Sequence, residues 1–151
     1  LHCSSAASDV YKRQEFNNDE LYISRTYYDE NYAAFHGTSQ YSPNNKNVLI
    51  KEYGKNTPCG GSVHSLNNKV YRSALGGIAE MDQFLNLIET SVIGNFNQSE
   101  VYSVEVINDK VYFGLTDYSN YNKIKVISND NLEVASYDVG KIPGDFAVWR
   151  K

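Results

Sequence analysis

A repeat 41 residues long constrains this chain more than any other feature. In GSVHSLNNKVYRS, residues 61–73, and YSVEVINDKVYFG, residues 102–114, six residues coincide: Ser62, Val63, Asn67, Lys69, Val70 and Tyr71 recur as Ser103, Val104, Asn108, Lys110, Val111 and Tyr112. A weaker copy of the first half stands in GDFAVW, residues 144–149, and DELYIS, residues 19–24, matches the second half of a preceding unit. The approaches agree as well. GKNTPCGGSV from Gly54 and GKIPGDFAV from Gly140 both run Gly-Lys, turn, Pro, strand. Periods in the low forties belong to architectures whose units bury their faces against one another.

Within one unit the pattern reads as four short strands. SVEVI is the first, and Asn108-Asp109 supplies the short polar side chains that tolerate the left-handed backbone of a tight hairpin. KVYFGLT returns as the second strand. After a polar loop over residues 118–122, KIKVIS alternates cleanly, with Ile124 and Val126 on one side, and NDN turns into LEVASYDVG. Four hairpin-linked strands in about forty residues predict a propeller blade. The expected fold is therefore all-β, a β-propeller fragment of roughly three four-stranded blades. NYAAFHG and NVLIKEYG supply the last two strands of the opening unit. One stretch pulls the other way: in GGIAEMDQFLNLIETSVIG, Ile78, Met81, Phe84, Leu85 and Ile88 fall at helical spacing. Repeat phase is the more demanding constraint, and it predicts strands there.

Residues 1–14 stand apart from this pattern. SSAASDVYKRQ, residues 4–14, back-translates without a gap into a DNA sequence that resembles a transposase-type sequencing adapter, so the first fourteen residues are expected to be foreign. Without them, 137 residues remain, with 12 basic side chains against 17 acidic ones. This balance, with no clustered Lys or Arg, argues against a nucleic-acid partner. No apolar run approaches a membrane span. Cys59 is the only cysteine left, so no internal disulfide is expected within residues 15–151.

The units NNKVYRS, NDKVYFGLTDYSNYNKIKVIS and LEVASYDVGKIPGDFAVW resemble the YncE-like family of propellers, in particular its surface and lipoprotein-like members in Bacteroidetes. Gly140 and Pro143 match the family's turn before the inner strand, Asp109, Lys110 and Tyr112 its second strand, and Ile127, Asn129 and Val134 a degraded form of its third-to-fourth turn. Ser128 departs, standing where the family usually has Asp. The resemblance covers about residues 17–149 and concerns blade construction rather than chemistry. It implies an exported or surface-attached protein of the bacterial cell envelope. Because a closed propeller needs at least four blades, residues 15–151 are expected to be an incomplete propeller domain.

The loops between second and third strands, and those between units, should emerge on one rim, where a rigid scaffold usually displays binding groups. That rim would carry Tyr27, Tyr28, Tyr118 and Tyr121, aromatic groups with a polar handle suited to a protein or glycan, with Asp29, Glu30 and Asp117 as polar partners. His64, between Val63 and Ser65, would line a central channel if its strand is innermost. No catalytic residue, metal site or cofactor is assigned, because no His, Cys or carboxylate cluster has ligand spacing and no glycine pattern cradles phosphate. The expected function is a non-catalytic binding or scaffold module. The alternative is part of a propeller enzyme of lyase, lactonase or oxidoreductase type, with catalytic groups converging from several blades.

Overall fold

The computed structural model describes residues 14–55, 61–120 and 122–149. They form eleven strands in three antiparallel sheets, and no α-helix occurs among them. The first sheet holds β1 (Gln14–Asn17), β2 (Glu20–Tyr28), β3 (Ala34–Ser42) and β4 (Asn47–Lys55) in chain order. The second holds β5 (Val63–Leu66), β6 (Lys69–Ala74) and β7 (Gly77–Glu80), and the third β8 (Val101–Ile107), β9 (Lys110–Thr116), β10 (Asn122–Ser128) and β11 (Glu133–Asp138).

Each sheet opens with the same device. Asn18-Asp19, Asn67-Asn68 and Asn108-Asp109 are two-residue hairpin loops in which both residues take left-handed φ, between 49° and 61°. Asn and Asp tolerate that backbone, and its twist matches the flanking strands. The 41-residue spacing from Asn67 to Asn108 is thus the repeat of a turn with its two strands.

The outer sheets have the four strands that the repeat predicts, but the middle sheet has three. Beyond β7, Asp82 folds the chain back: its carboxylate accepts from the backbone N–H of Phe84 and Asn86 and from the Asn86 amide, each within 2.9 Å. These bonds, the Asn86 side chain foremost, hold the Asp82 pKa below its ordinary value. A 3-10 turn at Glu89–Ser91 follows. Residues 92–96 then pass along β7 with only one bridge, Ile78 to Ile93, in place of a fourth strand. Gly77 permits this approach, since a Cβ there would run into the Ile93 carbonyl. Helical spacing in this stretch reflects the burial of Ile78, Met81 and Leu85 by a strand and a turn.

Strand alternation sends each face of the middle sheet to a different neighbour. Val63, Val70, Met81 and Leu85 pack toward the first sheet and its Tyr22. Leu66, Tyr71, Ile78 and Ile93 pack toward the third, where Val101, Val104, Val111, Phe113, Leu115 and Ile127 complete the larger core. Along one margin the first strands gather, β5 touching both β1 and β8.

Candidate functional site

Three groups of polar side chains stand out, and the first lies between the first and second sheets. Arg72 projects from β6 and is only 1 % exposed, its Nη1 donating to Ser24 Oγ at 2.7 Å and Thr38 Oγ1 at 3.2 Å. The guanidinium carbon sits 5.3 Å from the centre of the Tyr53 ring. Tyr53 in turn donates to the Leu85 carbonyl at 2.7 Å, and burial raises its phenol pKa. The Ser24 hydroxyl itself donates to the Gly61 carbonyl, 2.9 Å away.

On the opposite face of the same sheet, Ser62 Oγ lies 2.5 Å from His64 Nε2 and 2.9 Å from Ser73 Oγ. All three residues are buried. A hydroxyl against an imidazole is the start of a nucleophile–base pair. Here it is sealed between sheets, where its demonstrable role is to satisfy buried polar atoms.

The third group follows the repeat. Glu15, His64 and Glu105 each stand three residues before the hairpin asparagine of their first strand. Asn17 Nδ2 donates to Ser65 Oγ at 3.1 Å across the β1/β5 margin. Glu15 also hydrogen-bonds Ser65 and feels the Glu105 carboxylate. Its pKa is raised, burial being the largest cause; the bond to Ser65 lowers it in part, and Glu105 adds a smaller rise. No group of three His, Cys, Asp or Glu side chains able to hold a metal occurs among the described residues.

The tyrosines and acids expected on a rim divide between strand and loop. Tyr27 and Tyr28 belong to β2, and the loop begins at Asp29. Tyr27 stacks on Phe35 with centroids 5.5 Å apart and carries the Arg25 guanidinium over its ring, while Tyr28 is exposed. Burial, followed by the neighbouring Glu52, raises the Tyr27 pKa. Asp29 caps its own loop by accepting from the N–H groups of Asn31 and Ala33, and Glu30 lies in that loop. Asp117 does the same for Ser119 and Asn120, and Tyr118 meets Tyr102 edge-on at 6.1 Å. Tyr121, Pro58 and Cys59 lie outside the described residues.

His64 is on the first strand of its sheet, as expected, with its ring turned into the Ser62–Ser73 pair. Sequence reasoning gave no site role to Arg72, Ser73 or Ser62, the last of which it used only to define the repeat, and it read Glu15 and Glu105 only as charges. Counting back from the three hairpin asparagines would have aligned Glu15, His64 and Glu105. No protein-family model matches this chain, and neither does any curated protein. Among the described residues no helix is long and apolar enough to cross a membrane.

Proposed function

We propose that this chain is a non-catalytic binding or scaffold module of the bacterial cell envelope, built as an incomplete propeller over residues 15–151. The observation that carries the reading is the recurrence of one unit at one phase: three sheets opened by the same left-handed Asn hairpin, with β5 against both β1 and β8. First strands side by side and sheets stacked face on face are what a radial repeat requires. The resemblance to YncE-like propellers supports the envelope location, and the exposed Tyr28 and Tyr32 at the β2–β3 connection support a contact surface for a protein or glycan.

Screening the purified chain against arrays of glycans and envelope proteins tests this reading. Replacing Tyr28, Tyr32 and Tyr118 with Ala should abolish the strongest signals, whereas an unchanged binding profile removes the assignment.

A propeller enzyme is the second reading, favoured by one observation: Glu15, His64 and Glu105 occupy one repeat position, and Glu15 has a raised pKa. Lyase, lactonase and oxidoreductase assays on the wild type and on Glu15→Gln with Glu105→Gln distinguish the two. Turnover lost in the double variant supports the enzyme, and its absence in both supports the module.

A further inference from the structure

Asn97-Gln98-Ser99 is the one place in the sequence where an asparagine is followed two residues later by Ser or Thr. It lies between the stretch that passes along β7 and the start of β8, and both Asn97 and Ser99 are exposed. The backbone around it is held from three sides. Phe96 N–H donates to the Gly76 carbonyl at 2.9 Å, Gln98 Oε1 accepts from Gly76 N–H at 2.8 Å, and Glu100 N–H closes a turn onto the Asn97 carbonyl at 2.9 Å.

The Asn97 side chain is engaged through its oxygen alone. Oδ1 accepts from the Ser99 hydroxyl at 2.9 Å and from Ser99 N–H at 3.2 Å, and Nδ2 has no hydrogen-bond partner among the described residues. Elsewhere the fold uses asparagine nitrogens: Asn17 Nδ2 donates to Ser65, and Asn86 Nδ2 to Asp82. An amide nitrogen is a poor nucleophile, because its lone pair is shared with the carbonyl. As Nδ2 gives up a proton, negative charge collects on Oδ1. Two donors already placed on that oxygen stabilise the charge as it forms. One of them is the Ser99 hydroxyl, so the chemistry depends on a hydroxyl two residues on.

We propose that Asn97 is the acceptor of an N-linked oligosaccharide. The donor is a lipid-linked glycosyl diphosphate, and the catalyst is a transferase separate from this chain. A bond forms between Asn97 Nδ2 and C1 of the donor sugar as the C1–O bond to the diphosphate breaks. The diphosphate leaves with the electron pair, and one Nδ2 proton passes to a base of the transferase. Gln98 ties this segment to the turn at Gly76, whose neighbour Leu75 is 50 % exposed. A glycan there would set polar surface beside an apolar side chain that the fold leaves in water. The proposal is independent of the propeller reading and of what the tyrosines bind.

The full chain, purified folded and without glycan, is incubated with a transferase that accepts Asn-X-Ser and with its lipid-linked donor. A standard acceptor peptide in the same tube reports that the reaction runs. The intact mass should rise by one glycan, and peptide mapping should place it on Asn97. Uptake should be at least as fast as by the free peptide of the same stretch, because the Asn97–Ser99 turn is already formed in the folded chain. Asn97→Gln and Ser99→Ala should take up nothing, whereas Ser99→Thr, which restores the hydroxyl, should be modified like the wild type. Both positions are exposed, so circular dichroism of the variants should match the wild type. A folded chain left without glycan while the standard peptide is consumed overturns the proposal, whether or not the free stretch is modified. Attachment at a residue other than Asn97 overturns it as well.

Discussion

Arg72 Nη1 lies 2.7 Å from Ser24 Oγ, joining β6 of the second sheet to β2 of the first through a guanidinium almost wholly removed from water. Truncating such a group opens a cavity and strands the hydroxyls it served. Arg72→Ala should cost about 3 kcal/mol in urea denaturation, whereas Arg72→Met, which keeps most of the volume and removes the charge, should recover much of that loss. Equal losses in the two variants would mean that the hydrogen bonds outweigh the packing.

Tyr53 makes the second link across this interface, donating to the Leu85 carbonyl at 2.7 Å. Tyr53→Phe leaves the ring in place under Arg72 but deprives that carbonyl of its donor. A destabilisation of about 1–2 kcal/mol is expected. Hydrogen exchange localised to residues 82–86 should rise with it, and a protection pattern unchanged there would show that the loop does not depend on this bond.

Phe113 is fully buried at the centre of the larger core and tilts against Phe96 with centroids 5.0 Å apart. Phe113→Ala removes a ring that neighbouring sheets cannot collapse to replace, at a cost of about 3–5 kcal/mol. That is a large part of a typical domain's stability, so the variant should melt far below the wild type in a thermal scan.

Glu15 provides the pH test. A carboxyl whose folded pKa is raised contributes stability that is fully present below its unfolded pKa and lost as pH rises through the folded value. Glu15→Gln should therefore melt slightly above the wild type at pH 7, by up to about 2 °C for a half-exposed group. The gap should close below about pH 4, where the wild-type carboxyl is protonated in both states. In a Glu105→Gln background the gap at pH 7 should shrink, because part of the shift comes from that second carboxylate.

The sequence by itself determined the local geometry: strand alternation, and hairpins at Asn67 and Asn108 whose two-residue polar loops take a left-handed backbone. These features are legible because each depends on residues within a few positions of one another. It also announced the repeat that makes three similar sheets. Only the tertiary structure decided what faces what. Nothing local distinguishes Arg72 from an exposed strand arginine, yet it lies between sheets because Ser24 and Thr38, 48 and 34 positions away, meet it there. The middle sheet lost its regular fourth strand for a similar reason, since the Asp82 loop and the close pass of residues 92–96 outweighed repeat phase. Ser62 and His64 became a buried cluster only where the fold brings the Ser73 hydroxyl of the next strand against them. Burial is set by the surface packed opposite a side chain, and that surface comes from distant parts of the chain.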